Sequence, residues 1–144
     1  MATDRFHLCS GCKHKSRTAR LFDALFDIAT RQTQDCTKCG GPTVLHLTFD
    51  YALGAAGASN GVLDSFLPDD IVEWTYEGKR IEFYPFLVIT ETETHDRGVW
   101  LPYWHVVAER DNSVKKFGQW APSMDFSLFA QLVGKAQKAG YLNN

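Results

Sequence analysis

All four cysteines of this 144-residue chain lie within its first 39 residues, as two Cys-x-x-Cys pairs. The pairs are Cys9–Cys12 and Cys36–Cys39, and 23 residues separate them. One such pair can hold a tetrahedral cation from a single tight turn, and a second pair supplies the other two thiolates. The spacing therefore predicts one metal site whose ligands are Cys9, Cys12, Cys36 and Cys39.

Two glycines follow the second pair, where a turning backbone favours a residue that tolerates positive φ. Residues 9–41 resemble the four-cysteine zinc-ribbon and rubredoxin-like knuckle modules, most closely over Cys36-Thr37-Lys38-Cys39-Gly40-Gly41. The first pair departs from that pattern, because Lys13 stands where the knuckle glycine would be. We expect a structural Zn²⁺, since four thiolates leave no open coordination position for water or substrate.

Other interpretations of the cysteines stay open at this point. Iron binds the same four-thiolate set in rubredoxin-like sites. Disulfides suit a secreted chain, but residues 1–7 lack the apolar region of a signal peptide, and the cytosol keeps thiols reduced. A thioredoxin-like redox pair follows a strand, and only eight residues precede Cys9. We therefore expect a cytoplasmic protein with zinc as its cofactor.

The residues between and after the cysteine pairs predict a helix and then a strand. Apolar residues at helical spacing predict an amphipathic helix from Ser16, as its N-cap, to Arg31. β-branched and aromatic residues predict a strand over Thr43–Tyr51, and the small residues 53–61 predict a linker. The chain thus divides into a zinc module over residues 1–46 and a second domain over residues 47–144, with one continuous domain as the alternative.

The sequence of the second domain predicts a series of strands followed by a helix. Alternating residues predict strands over Ile71–Tyr76, Arg80–Thr90, Val99–Glu109 and Val114–Trp120. Short turns between most of them imply antiparallel neighbours and hence a meander. Pro85 and Pro102 cannot donate to a ladder, so each marks an edge, a bulge or a break.

A final helix is predicted after Pro122, capped by Ser123 or Asp125 and stopped by Gly140. Its expected apolar face consists of Phe126, Phe129, Leu132, Val133 and Ala136. The predicted fold class is α+β: an N-terminal four-cysteine zinc module with an inserted helix, followed by an antiparallel meander that the C-terminal helix covers.

The charges of the chain are nearly balanced, with 15 Lys and Arg against 17 Asp and Glu. Bulk charge therefore gives no support to non-specific nucleic-acid binding. The two parts differ, because residues 1–46 hold seven basic and four acidic residues, whereas residues 47–144 hold eight and thirteen. Any nucleic-acid contact is predicted at Lys13, Lys15, Arg17 and Arg20. The competing interpretation is a solvated face that balances the charge of four thiolates.

The four tryptophans all lie in the second half of the chain. They indicate a candidate binding surface made of Trp100, Trp104, His105 and Trp120, since residues on alternating strand positions face opposite sides of a sheet. Exposed aromatic rings can stack on a base, a sugar or a proline-rich peptide. Core packing is the competing interpretation.

The sequence favours a zinc-stabilised, non-catalytic interaction protein that binds a protein partner or a second copy of itself. The first alternative is a nucleic-acid-binding regulator that uses the basic Lys13–Arg20 stretch. The second is a small enzyme in which His95, Asp96 and His105 perform acid–base chemistry, although no local motif nominates a Ser or Cys nucleophile. No membrane contact is expected, because the chain has no apolar run of about 18 residues.

Overall fold

The computed structural model describes residues 2–18, 20–49, 59–109, 112–117 and 124–142. Within these residues the chain forms ten strands and two helices. The strands are β1 (Ala2–Cys9), β2 (Lys15–Arg17), β3 (Thr43–Phe49), β4 (Ser59–Phe66), β5 (Val72–Tyr76), β6 (Lys79–Pro85), β7 (Leu87–Thr92), β8 (Arg97–Trp100), β9 (Tyr103–Glu109) and β10 (Asn112–Phe117). The helices are α1 (Leu21–Ala29) and α2 (Phe126–Lys138). Neither of them is long and apolar enough to cross a membrane.

The chain forms two compact units, each with its own sheet and helix. The first comprises residues 1–65 and 88–99 and holds α1 with a six-stranded sheet in the order β2-β1-β3-β4-β7-β8. The second comprises residues 66–87 and 100–144 and holds α2 with a four-stranded sheet in the order β10-β9-β6-β5. β1 is antiparallel to β2 and β3, and β9 is antiparallel to β6 and β10. The α+β class is therefore confirmed.

Two prolines divide the expected strands. β6 ends at Pro85 and β7 begins at Leu87, where one strand over residues 80–90 was expected. Pro102 likewise lies between β8 and β9, because proline has no N–H for the ladder. The strands β7 and β8 join the sheet of the first unit, whereas β6 pairs with β9 in the second. The strands after residue 71 therefore belong to two sheets rather than to one meander.

The helix between the cysteine pairs begins later than the sequence predicts. Residues Lys15–Arg17 form the edge strand β2, in which Ser16 lies opposite His7, so Ser16 is not the N-cap. The N-cap is Arg20, which makes no side-chain capping hydrogen bond. Phe22 and Leu25 are buried, as the helical spacing predicts. Pairing with β1 thus takes precedence over local capping at Ser16.

The C-terminal helix α2 buries only part of the expected apolar face, since Leu132 and Ala136 are buried as predicted and the two phenylalanines are not. Gly140 follows it with φ +90°, which confirms the predicted stop. The buried residues are spaced four apart: Leu128, Leu132 and Ala136. Phe126 and Phe129, which were expected on the buried face, are 79% and 41% exposed.

The core of the first unit is centred on its middle strands. Leu45 and Leu47 of β3 are buried, as are Val88 and Ile89 of β7. β4 begins at Ser59, so the last three residues of the expected linker belong to a strand, and residues 51–58 lie outside the described residues. In the second unit the buried side chains include Phe86, Trp104, Val106, Leu128 and Leu132.

Candidate metal centre

The first cysteine pair lies in a tight turn at the end of β1. The amide of Lys13 donates to the carbonyl of Cys9 at 3.1 Å, and the amide of Cys9 donates to the carbonyl of His14 at 2.9 Å. The amide of Cys12 donates to Sγ of Cys9 at 3.4 Å. Lys13 has φ +64°, a left-handed conformation in which glycine is usual. The turn therefore has knuckle geometry although a lysine occupies the glycine position.

The second cysteine pair closely repeats this geometry. The amide of Gly40 donates to the carbonyl of Cys36 at 2.9 Å, and the amide of Cys36 donates to the carbonyl of Gly41 at 2.8 Å. The amide of Lys38 donates to Sγ of Cys36 at 3.4 Å. Gly40 has φ +74° and stands at the same offset from Cys36 as Lys13 does from Cys9. The expectation of a left-handed glycine after the second pair is confirmed for Gly40.

Strand pairing brings the two turns together. β1, which leads into the first turn, is antiparallel to β3, which leaves the second, and Cys9 lies opposite Thr43. The amide of Ser10 donates to the carbonyl of Pro42 at 3.1 Å, and Asp35 forms an isolated bridge with Pro42. The antiparallel arrangement explains why cysteines far apart in the chain become neighbours.

The four sulfur atoms form one compact cluster, in which every Sγ lies within 4.8 Å of the others. Cys9 Sγ is 3.4 Å from Cys39 Sγ, and Cys12 Sγ is 3.6 Å from Cys36 Sγ. A tetrahedral cation with metal–sulfur bonds of about 2.3 Å separates its ligands by about 3.8 Å. Within the described residues, this is the one group of three or more His, Cys, Asp or Glu side chains close enough to hold a metal ion. The arrangement fits a tetrahedral four-thiolate site.

Gly41 allows the backbone to approach the sulfur atoms closely. A Cβ at this position would lie 3.3 Å from Sγ of Cys39 and 3.6 Å from Sγ of Cys9. The first distance is tighter than an ordinary van der Waals contact, so a side chain would push the ligand aside. Gly41 is not among the residues with positive φ. Sequence reasoning gave both glycines the same role, whereas the structure requires Gly41 for space and Gly40 for its backbone conformation.

Backbone amides, burial and the neighbouring sulfurs shift the thiol pKa values of Cys9, Cys12 and Cys36 in different directions. The amide of Cys12 and the hydrogen bond with Cys39 together outweigh burial and lower the pKa of Cys9 to about 6. The amides of Cys39 and Lys38 lower the pKa of Cys36. The amide of His14 also lowers the pKa of Cys12, but burial and hydrogen bonds with the other cysteines outweigh it and raise that pKa to about 11. Cys9 and Cys36 therefore favour the thiolate, and a divalent cation would supply the positive charge that favours ionisation of Cys12.

The basic residues predicted to contact nucleic acid have varied surroundings. Lys13 Nζ donates to the carbonyl of Ser10 at 3.2 Å, and Lys15 Nζ lies 4.8 Å from the centre of the Phe6 ring. Arg17 and Arg20 line a cleft of about 390 Å³. Three carboxylates line the same cleft, those of Asp23, Asp27 and Asp35. The cleft therefore carries both signs of charge, whereas phosphate binding favours a basic surface.

Burial divides the aromatic residues predicted to form a binding surface. Trp104 is 5% exposed and its ring packs edge-on against Phe86 at 5.4 Å between centroids, so Trp104 contributes to the core of the second unit. Trp100 and His105 are half-buried. Trp120 lies outside the described residues.

Sequence reasoning did not single out the exposed apolar residues of β5. Val72, Trp74 and Tyr76 are 40%, 40% and 61% exposed, and we call these three residues the β5 patch. They occupy alternate positions, so they share one face of β5, which lies at the edge of the sheet formed by the described strands. The ring of His105 lies 5.5 Å from that of Trp74. Their alternation is visible in the sequence, but the edge position of the strand is not.

The residues predicted for acid–base chemistry have separate surroundings. His95 lies in the turn between β7 and β8 and contacts the carboxylate of Glu91 at 3.2 Å. Asp96 accepts a hydrogen bond from Thr94 Oγ1 at 2.7 Å. His105 belongs to the second unit, where its ring lies near aromatic residues. His95 and Asp96, by contrast, belong to the first unit.

Comparison of the chain with models of protein families, with curated proteins and with solved structures gives no match. The cysteine cluster is therefore interpreted from its own geometry. That geometry is consistent with a zinc-binding knuckle.

Proposed function

We propose that this protein is a zinc-stabilised, non-catalytic interaction protein. The observation that carries the proposal is the cluster of four cysteine sulfurs within 4.8 Å of one another. Four thiolates complete a tetrahedral shell, so the ion offers no position at which water or substrate can react. Its binding free energy instead contributes to the folding of the first unit.

We assign zinc because four-thiolate shells are a usual form of structural zinc site, whereas iron in the same shell would be redox-active. Optical spectra of the full chain separate the two metals. The purified protein should show no visible absorption, and replacement of its metal by Co²⁺ should produce the bands of a tetrahedral thiolate complex. Visible absorption that disappears on reduction would instead identify iron.

The β5 patch supports the interaction part of the proposal. Every residue of β5 is exposed, and among the described strands β6 is its only neighbour in the sheet. An edge strand presents backbone N–H and C=O groups that an additional strand can pair with. Trp and Tyr supply large contact areas in protein interfaces. The edge therefore suits an extended strand from a partner.

A second copy of the chain supplies a strand that fits this edge. Antiparallel pairing of two β5 strands about Trp74 places Val72 opposite Tyr76 and Glu73 opposite Thr75. No like charges then face each other across the pair, and the apolar faces of both strands lie on the same side of the joined sheet. We therefore propose self-association through β5.

Sedimentation equilibrium of the zinc-loaded full chain tests this surface. The wild type should form dimers as its concentration rises, and Trp74→Lys should shift the equilibrium to monomer because charge disfavours edge pairing. Phe126→Lys is the matched control, since Phe126 is also an exposed aromatic residue but lies on α2. Equal association of both variants would contradict the assignment to β5. A monomeric wild type would reject self-association. In that case, extended peptides that bind the wild type but not Trp74→Lys would show that a strand from a different protein pairs with β5.

A further inference from the structure

An ion pair between an exposed arginine and a buried aspartate joins the end of α1 to β4. Arg31 Nη1 pairs with Oδ1 of Asp64. Asp64 is only 7% exposed, and the same oxygen accepts a hydrogen bond from the amide of Ser65 at 2.9 Å. Arg31 lies two residues after the end of α1, whereas Asp64 lies 33 residues further along the chain. The contact is therefore a long-range link within the first unit, and removal of the guanidinium takes this charge partner from a buried carboxylate.

Arg31 occupies a position at which glycine is usual. Its φ is +63°, its amide donates to the carbonyl of Ile28 at 3.1 Å, and the amide of Gln32 donates to the carbonyl of Asp27 at 2.8 Å. This pair of hydrogen bonds defines the helix end at which a left-handed glycine commonly stands. An arginine is strained in that conformation. Unlike glycine, the arginine brings to this helix end a guanidinium, which pairs with Asp64.

The segment after Arg31 leads to the second cysteine turn, with Cys36 five residues further on. The side chain of Gln34 donates from Nε2 to Oδ2 of Asp27 at 2.8 Å. The Gln34 carbonyl accepts a hydrogen bond from Oγ1 of Thr43. The position of the second turn thus depends on where the end of α1 is held.

We propose that Arg31 is a positioning residue for the metal centre. Its ion pair with Asp64 fixes the end of α1 on β4 and so holds Cys36 and Cys39 beside the first cysteine pair. This inference rests on the proposed zinc site. With the ion pair broken, the second turn moves more freely, and the ion leaves the cluster faster. Residues that orient metal ligands without touching the metal typically change its affinity by about 10- to 100-fold.

The rate of zinc transfer from the loaded full chain to a chromophoric chelator tests the proposal. Arg31→Gly keeps the left-handed helix end and removes the cation, so release should be about tenfold faster than in the wild type. Arg31→Lys keeps a positive charge and should restore part of the difference. Val88→Ala is the control: Val88 is fully buried in β7 of the same unit, outside the helix end and the turns. Release from Arg31→Gly within twofold of the wild type, or equal acceleration in the control, would overturn the proposal.

The zinc content of the wild type is measured first, because it tests the zinc site independently of the positioning role of Arg31. If the wild type holds no zinc, the zinc site is rejected, and hydrogen exchange then tests the positioning role alone. The amides to follow are those of Cys36 and Gly40, which donate within the second turn. Faster exchange in Arg31→Gly than in Val88→Ala supports the role, and equal exchange overturns it.

Discussion

Two left-handed residues close the cysteine turns, and only one of them is a glycine. Lys13 and Gly40 have φ values of +64° and +74° and follow the two pairs at the same offset. The glycine could be predicted to adopt this conformation from its residue type. The left-handed conformation of Lys13 could not be predicted from its residue type, because lysine has no preference for positive φ. Only the spacing of Cys9 and Cys12 indicates a turn at this position.

Substitution of Gly40 tests how much its backbone conformation contributes. Gly40→Ala should lower the free energy of unfolding by about 1 kcal/mol, because a Cβ is strained in the left-handed region. A Cβ there meets no atom within 4 Å, so any loss comes from the backbone and not from a clash. Gly11→Ala, in the first turn, is the control, since Gly11 lies outside the left-handed region and its Cβ would be 3.9 Å from the nearest sulfur. Urea unfolding that gives equal losses for both variants would contradict this.

His46 gives the first unit a pH dependence of known sign. Burial lowers its pKa below the ordinary 6.5, and the charge of Lys15 lowers it further, against the opposing effect of Glu93. The unfolded chain therefore binds a proton at His46 more readily than the folded chain does. The free energy of unfolding is consequently unaffected by this group above pH 6.5, and it decreases as the pH falls towards the folded-state pKa. In His46→Gln, the free energy of unfolding should fall less steeply between about pH 7 and pH 5 than in the wild type. Coincident slopes for His46→Gln and the wild type would exclude the effect.

The sequence pattern predicts whether a segment forms a helix or a strand better than it predicts where that element begins, where it ends and which of its residues are buried. The spacing of Phe22 and Leu25 predicts α1, but the helix does not start at Ser16, because β1 offers that segment a strand partner. In α2 likewise, Leu132 and Ala136 are buried as predicted, but the pattern does not show how far the buried face extends. Phe126 and Phe129 are apolar yet exposed, since burial depends on where the rest of the unit packs. Local propensity therefore does not predict which helix residues are buried, because burial depends on contacts with distant parts of the chain.

Gly134 offers a direct test of helix stability in α2. A Cβ at this position meets no atom within 4 Å, so Gly134→Ala should raise the free energy of unfolding by about 1 kcal/mol through helix propensity. Ala136→Gly is the opposite change two residues away, at a fully buried position, and should lower it by at least a similar amount. Thermal unfolding measures both, and a decrease for Gly134→Ala would contradict the assigned helix.

Over the whole chain, the order of the strands in space was the hardest property to predict. Residues 66–87 belong to the second unit, yet residues 88–99 belong to the first. β4 and β7 therefore become sheet neighbours across a long stretch of chain. Pro85 and Pro102 predict that the strands break, but no local signal says which sheet each piece joins. The metal centre was more predictable, because the ligand spacing alone names Cys9, Cys12, Cys36 and Cys39.

Metal analysis of the freshly purified, reduced full chain tests most directly whether four cysteines bind a stabilising ion. The wild type should contain one zinc per chain. Cys36→Ser should lose the metal and much of its stability, because metal-binding energy becomes folding energy, whereas Ser10→Ala, within the first turn but not a ligand, should retain both. A reduced wild-type chain with intact thiols and no bound metal would contradict the zinc site.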